Sequence, residues 1–152
     1  FETLNATVRI NYTINPNLTI QYYGQPFIAK GSYSNFNYVT NPLAKDLGDR
    51  VQLYNSDQIS LSDATYLVDE DMDGNTDYSF GKPDFAVVQY RSNLVVRWEY
   101  IPGSEVFFVW SQGINGYDDN GDASFNSIVN DQLFNQQPLN TFLIKATYRF
   151  VL

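Results

Sequence analysis

The amino-acid sequence predicts an all-β protein: an antiparallel, up-and-down segment of a transmembrane β-barrel with about five membrane strands. Three observations lead to this prediction. Apolar and polar residues alternate over long stretches, without a fault from Thr3 to Ile14, which is the period-two pattern of a strand with two unlike faces. The stretches are about 10 to 17 residues long, and about ten residues suffice for a tilted strand to cross a bilayer. Their connections are alternately short and long, as in outer-membrane barrels.

Tight turns and two long segments separate the predicted strands. Asn15-Pro16-Asn17 follows the first strand and Pro102-Gly103 follows the third, and both sequences favour turns. Strands are predicted at residues 3–14, 18–29, 85–101, 104–112 and 141–152. Pro26 has no backbone N–H to donate, so we expect it at a bulge or at an edge of the sheet.

The apolar positions of these strands predict a face that contacts lipid. The residues expected on that face are Leu4, Val8, Ile10, Leu94, Val96, Trp98, Phe108, Ile144 and Tyr148. Aromatic residues near the short turns and the C-terminus predict a girdle at the periplasmic interface of the membrane. The girdle residues are Tyr12, Trp98, Tyr100, Tyr148 and Phe150.

The two long segments, at about 31–84 and 113–139, are predicted to be extracellular loops. They contain most of the acidic residues, ten of 17 in the first and four more in the second. The first has signals for a short helix at 41–48 and for a hairpin of 50–54 with 65–68. The second has an amphipathic helical pattern formed by Phe125, Ile128, Val129 and Leu133.

Five strands are too few for a bacterial barrel, which has an even number of at least eight strands. We therefore expect residues 1–152 to form the C-terminal part of an outer-membrane barrel, whose remaining strands precede Phe1 or come from another chain. The expected location is the bacterial outer membrane, with the loops outside the cell and the C-terminus in the periplasm. The alternative architecture is a water-soluble β-sandwich, in which the apolar faces pack on each other.

Composition excludes several functional classes. The formal charge of −8, from nine basic and 17 acidic residues, argues against nucleic-acid partners, which select basic patches. The chain has no Cys and no His, which excludes disulfides, Ser-His-Asp catalysis and His-ligated metals.

The sharpest motif is an acidic run that suits a calcium loop. Asp69, Asp71, Asp73 and Asp77 match oxygen-ligand positions 1, 3, 5 and 9, and Asn75 offers its backbone carbonyl at position 7. Gly74 permits the sharp turn that such a loop needs. Position 12 is Phe80 instead of the bidentate Glu, so the motif is not an EF-hand. The alternative is a solvated acidic turn without an ion.

A second candidate site is a charge cluster on the polar strand faces near the short turns. Its residues are Arg9, Arg97, Glu99 and Arg149, which are expected in the barrel lumen. The cluster is interpreted either as an ion-pair network that fills the interior or as a pore constriction.

The segment from Arg91 to Tyr100, followed by Pro102-Gly103-Ser104 and by the segment from Phe107 to Gln112, resembles part of a known family. The similarity is to the C-terminal region of a Bacteroidota outer-membrane family catalogued as domain of unknown function 5916, which usually follows a family-9-like carbohydrate-binding module. Weaker similarity lies at 23–27, 31–36, 83–85 and 142–145. The resemblance implies the barrel fold and the outer-membrane location, and it supplies no catalytic residues.

Three functions are compatible with these observations. The first is surface glycan binding or transport by the barrel segment, with outer-membrane lipid, further barrel strands and a glycan as partners. The second is a secreted calcium-dependent β-sandwich that binds carbohydrate. The third is a hydrolase with carboxylates in the loops, but no carboxylate spacing singles out a catalytic pair, so we do not expect an enzyme.

Overall fold

The computed structural model describes residues 1–150 and consists of two compact units. The sheet unit comprises Phe1–Gly31 and Phe85–Leu152, and the insertion unit comprises Ser32–Asp84. The last strand, predicted at 141–152, ends at Thr147, because residues 148–150 have no regular secondary structure, and residues 151–152 lie outside the described residues. In chain order the strands are β1 (Glu2–Asn5), β2 (Val8–Asn15), β3 (Leu18–Gly31), β4 (Asn37–Val39), β5 (Val51–Leu53), β6 (Ile59–Ser62), β7 (Thr65–Val68), β8 (Tyr78–Gly81), β9 (Phe85–Ile101), β10 (Ser104–Asp118) and β11 (Leu139–Thr147).

The sheet unit contains one open antiparallel sheet. Strands β1 and β2 both pair with β3, and the order continues through β9 and β10 to β11. The prediction of an antiparallel all-β protein is therefore confirmed for this unit. Within the described residues the sheet does not close, so β1 with β2 forms one edge and β11 forms the other.

Pro26 explains why the first predicted strand is divided into β1 and β2. From Glu2 to Thr13 both strands pair with β3 in one register, which is interrupted opposite Pro26, and the register then shifts between Thr13 and Asn15. The backbone N–H of Ala6 donates to Pro26 O at 3.2 Å, but Pro26 has no N–H to return a bond. The prediction that Pro26 lies at a bulge or an edge was wrong, because it lies inside the continuous β3, opposite Tyr90 of β9.

The strand register collects most of the apolar residues of this sheet on one surface, called the apolar face below. One row across the sheet is Ile10, Tyr22, Leu94, Trp110 and Phe142, and the next is Tyr12, Ile20, Val96, Phe108 and Ile144. The predicted lipid-contacting residues within the strands all share this face. The opposite surface, called the polar face below, presents Asn, Gln, Thr and Arg side chains, with a few aromatic and aliphatic residues among them.

Within the described part of the sheet unit, no second layer of structure covers the apolar face along the middle of the strands. On the edge strands Ile10 is 52% exposed, Phe142 63% and Ile144 73%, while Leu94 and Val96 on the inner strand β9 are partly exposed. Residues 1–31 and 85–150 form a single sheet, so the alternative of two sheets packed face to face is not the architecture of this unit.

A short helical segment covers the apolar face only at the end where the long connections leave the sheet. Helix α1 (Phe125–Val129) continues into a π-helical turn (Asn130–Phe134). Ile128 packs against Ile28, Ala86 and Val88, and all four side chains are almost fully buried. The helix predicted from its amphipathic pattern is therefore confirmed. None of the helices formed by residues 1–150 is long and apolar enough to cross a membrane.

The insertion unit contains a two-stranded sheet, β4 with β5, and a three-stranded sheet in the order β6, β7, β8. Phe36 packs against Tyr66 and Phe80, with ring centroids 4.6 and 5.1 Å apart. The predicted helix at 41–48 is reduced to a 3₁₀ turn at Leu47–Asp49, because so short a segment gains little from helical hydrogen bonds alone. The predicted hairpin of 50–54 with 65–68 was also wrong, since β5 pairs with β4 and β7 pairs with β6 and β8.

Candidate functional site

The predicted calcium motif forms the loop between β7 and β8 in the insertion unit. Asp69, Asp71 and Asp77 each place one carboxylate oxygen within 4.8 Å of the other two. Gly74 has a φ of +90°, so the sharp turn expected at this glycine is present. Three carboxylates at this spacing offer the hard oxygen ligands that Ca²⁺ prefers.

Backbone N–H groups hold all three carboxylates in place, and Asp71 Oδ1 accepts from the N–H of Asp73 at 3.2 Å. Asp69 accepts hydrogen bonds from the N–H groups of Asp73 at 3.1 Å and Gly74 at 2.8 Å. Asp77 accepts one from the N–H of Glu70 at 2.7 Å. These bonds partly offset the repulsion between the carboxylates.

The other two predicted ligands interact with each other. Asp73 Oδ1 accepts hydrogen bonds from the backbone N–H of Asn75 at 2.8 Å and from its side-chain amide at 3.0 Å. The structure therefore brings together three of the four aspartates in the motif, and the Asp73 carboxylate is not among them.

Gln58 supports this loop and was missed by the sequence analysis. It is 5% exposed, its side-chain amide donates to Glu70 O at 2.8 Å, and its backbone carbonyl accepts from the Asp69 N–H at 2.9 Å. No sequence signal marks a glutamine for this role, since its partners are backbone groups of the acidic loop, more than ten residues farther along the chain.

Tyr78 lies at the end of the acidic loop. Its hydroxyl is hydrogen-bonded to that of Tyr54 and donates to Glu70 Oε2 at 3.3 Å. The bond with Tyr54, with a further contribution from burial, raises the pKa of Tyr78 well above its usual range. Tyr38 stacks on Tyr54 with ring centroids 4.7 Å apart, so this corner of the insertion unit presents an aromatic surface.

The charged residues of the polar face are centred on Arg97. Its guanidinium is hydrogen-bonded to Glu105, with Nε 2.9 Å from Oε1, and lies 3.6 Å from Glu99. Glu99 also accepts a hydrogen bond from the N–H of Gly103 at 2.8 Å. Glu105 was not predicted, because its approach to Arg97 depends on the β9–β10 register.

The other two members of the predicted charge cluster lie elsewhere. Arg9 on β2 is aligned with Tyr23 on β3, which is aligned in turn with Asn93 on β9. Asn93 lies four residues from Arg97 along β9, so Arg9 and Arg97 are in different rows of the sheet. The Arg9 guanidinium lies 5.3 Å from the centre of the Tyr23 ring. Arg149 follows β11, and its backbone N–H donates to Ser104 Oγ at 3.0 Å. The four predicted residues therefore do not form a single cluster.

Polar groups also form one row across the apolar face, near its covered end. The hydroxyls of Tyr22 and Tyr90 are 2.7 Å apart. Asn140 Oδ1 accepts hydrogen bonds from Trp110 Nε1 at 2.9 Å and from Gln112 Nε2 at 3.0 Å. This row, called the polar row below, spans the strands from β3 to β11.

Comparison with protein-family models, with curated protein sequences and with solved structures found no significant match to this chain. The resemblance of the segment from Arg91 to Gln112 to an outer-membrane family therefore stays a prediction.

Proposed function

We propose that the sheet unit is a membrane-spanning segment of a bacterial outer-membrane β-barrel that serves surface glycan binding or transport. The observation that supports this most strongly is the uncovered apolar face, which is opposed by a polar face across the same sheet. A water-soluble sheet leaves few large apolar side chains exposed side by side, whereas a barrel strand alternates lipid-facing and lumen-facing residues.

The dimensions of the apolar face suit an outer membrane. Along β9, the face extends from Ser92, which is aligned with Gln112 of the polar row, to Tyr100, a distance of eight residue steps. At about 3.4 Å per residue and a strand tilt of about 40°, this corresponds to roughly 20 Å across the bilayer. The lipid-facing band of outer-membrane barrels is about 25 Å tall.

Aromatic residues border the apolar face at both ends, as they do in membrane barrels. At the covered end, Tyr22, Tyr90 and Trp110 direct their polar atoms into the polar row. At the short-turn end, Trp98 and Tyr100 have ring centroids 6.0 Å apart, and those of Tyr148 and Phe150 are 4.8 Å apart. Aromatic rings with polar tips favour the boundary between lipid and water.

The two open edges support the proposed partners. Strands β2 and β11 have no neighbour on their outer sides within the described residues, and unpaired backbone groups are costly in lipid. Further strands, from the same or another chain, would satisfy these groups and close the barrel.

The connections support an orientation for the segment. The tight turns lie at one end of the sheet, and the insertion unit and the helical segment connect strands at the other. In outer-membrane barrels the long connections are extracellular, which would expose the acidic loop to millimolar calcium. We include Ca²⁺ bound by Asp69, Asp71 and Asp77 in this proposal.

Depth-resolved fluorescence quenching tests the membrane placement. The only two tryptophans of the chain, Trp98 and Trp110, both lie on the apolar face, near its opposite ends. In liposomes, lipids brominated near the headgroup should quench the single-tryptophan variants Trp98→Phe and Trp110→Phe more strongly than lipids brominated deep in the chain. In the variant that combines Val96→Trp with Trp98→Phe and Trp110→Phe, the lipids brominated deep in the chain should quench the tryptophan more strongly than those brominated near the headgroup. Absence of quenching in all three proteins would refute the proposal.

A further inference from the structure

We propose that the polar face of the sheet binds an acidic oligosaccharide, with Arg9 and Arg91 as its cationic anchors. This inference rests on the proposed glycan function and specifies the charge of the ligand and the surface that binds it.

The first supporting observation is that three of the four cations on the polar face lack anionic partners. Among residues 1–150, Arg9, Arg91 and Lys145 have no carboxylate within 4.0 Å, whereas Arg97 is paired with Glu99 and Glu105. The strands place four basic and two acidic side chains on this face, which gives a formal charge of +2 in a chain whose total charge is −8. Carboxylates are thus plentiful in the chain, but they do not neutralise this surface. An anionic ligand would neutralise the positive charge of the polar face.

The second observation is the environment of Arg9. Its guanidinium lies against the Tyr23 ring, and the two side chains line a shallow recess with Asn11, Gln21 and Asn93. The Tyr23 hydroxyl donates to Gln25 at 2.5 Å, which orients the ring. Arg9 makes no hydrogen bond within the described chain, so its donors are available to a ligand.

The third observation concerns Arg91, which is aligned with Gln25 and therefore lies one row from Arg9 on the same face. Its side chain extends over Gly113, where an added Cβ would lie 2.5 Å from Nη1. Arg91 donates only to neutral acceptors, Asn115 Oδ1 at 3.1 Å and Tyr90 O at 3.5 Å. Two separate anchors favour an extended ligand over a single small ion.

The chemistry of the neighbouring side chains points to a sugar. Asn and Gln amides both donate and accept, as hydroxyl groups do, and guanidinium groups bind carboxylate or sulfate groups with two parallel hydrogen bonds. Asn11, Gln21 and Asn93 flank Arg9, and Gln25 and Gln89 lie beside Arg91 in a second recess. A sugar chain that joins acidic units to neutral, hydroxyl-rich units matches this arrangement of arginines flanked by amide side chains.

Calorimetry on the protein in detergent micelles tests the proposal, with trigalacturonate as the probe and its methyl ester as the neutral counterpart. The acid should bind at least about tenfold more tightly than the ester, and higher salt should weaken its binding. Arg9→Gln and Arg91→Gln should each weaken binding of the acid about tenfold, which is the usual effect of losing a charge-assisted hydrogen bond. Lys45→Gln is the matched control, because Lys45 is an exposed cation in the insertion unit.

Equal binding of acid and ester, or unchanged binding by both arginine variants, would overturn the proposal. If inorganic sulfate binds as tightly as trigalacturonate and loses affinity in the same variants, the surface is an ion site and the oligosaccharide assignment is wrong. Quenching by brominated lipids, measured on the same variants, separates the two proposals. Quenching without glycan binding would refute only this inference, and glycan binding without quenching would refute only the membrane placement.

Discussion

The backbone N–H of Tyr33 donates a 2.9 Å hydrogen bond to Asp84 Oδ1, which ties the start of the insertion unit to its end. Lys82 Nζ lies 2.9 Å from the other carboxylate oxygen, and Asp84 is only 2% exposed. Burial by itself raises the pKa of Asp84, but Lys82 and the Tyr33 N–H favour the charged form more strongly. The pKa of Asp84 is therefore lowered from its ordinary value.

This pKa shift predicts that acid destabilises the insertion unit. Because the pKa of Asp84 is lower in the folded state, its contribution is fully present above the ordinary pKa of about 3.9 and is lost as pH falls through the folded value. Asp84→Asn should lower the free energy of unfolding at neutral pH by about 1–3 kcal/mol and flatten its dependence on pH in the acid range. Denaturant titrations followed by near-ultraviolet circular dichroism measure both effects. Asp46→Asn, at an exposed carboxylate without a capping hydrogen bond, should change neither.

Gly24→Ala should disrupt the contact between Tyr22 and Tyr90. A Cβ at Gly24 would lie 2.8 Å from the Tyr22 hydroxyl, so the ring must move and the hydrogen bond to Tyr90 is lost. A loss of about 1 kcal/mol lowers the melting temperature by about 2–4 °C for a chain of this size. Thermal unfolding followed by circular dichroism in detergent measures the shift. Gly48→Ala is the matched control, since nothing lies within 4 Å of its added Cβ, and an equal shift in both variants would contradict the prediction.

Adjacent valines on β9 test the assignment of the two faces. Val96 lies on the apolar face and Val95 on the polar face. If the apolar face contacts lipid, Val96→Arg should destabilise the folded protein in liposomes by about 2–4 kcal/mol, the range for Arg near the bilayer midplane. Val95→Arg should cost clearly less, because its charge would enter a polar environment. Unfolding titrations in lipid vesicles give both values, and a larger loss for Val95→Arg would mean that the faces are reversed.

The acidic loop should bind Ca²⁺ weakly, in the millimolar range typical of extracellular modules. Asp71→Asn should reduce the affinity about tenfold, because its carboxylate lies with those of Asp69 and Asp77. Asp73→Asn should have a smaller effect, since this carboxylate is hydrogen-bonded to Asn75. Calorimetric titration with calcium measures the affinities, with Asp119→Asn, at an exposed carboxylate between β10 and α1, as the control. No binding at about 10 mM calcium would show that the loop is a solvated turn.

The faces of the long strands could be predicted because strand alternation is a local property of the chain. Every predicted lipid-contacting residue within the strands lies on the apolar face, and the turns at residues 15–17 and 102–103 lie where the sequence placed them. The pairing inside the insertion unit could not be predicted. Its strands are three or four residues long, so their patterns do not identify partners, and contacts such as Phe36 with Tyr66 select the pairing instead.

The candidate sites also include features that local sequence predicts and features that depend on strand pairing. The acidic motif could be predicted from the sequence, because its ligand spacing and the turn at Gly74 depend only on neighbouring residues. Tertiary structure alone decided that Glu105 pairs with Arg97 while Arg9 contacts Tyr23, and that Arg91 extends over Gly113. Two side chains on different strands come into contact only when the register of the sheet aligns their positions. Register depends on the hydrogen bonds and packing of the whole sheet, and no single strand contains that information.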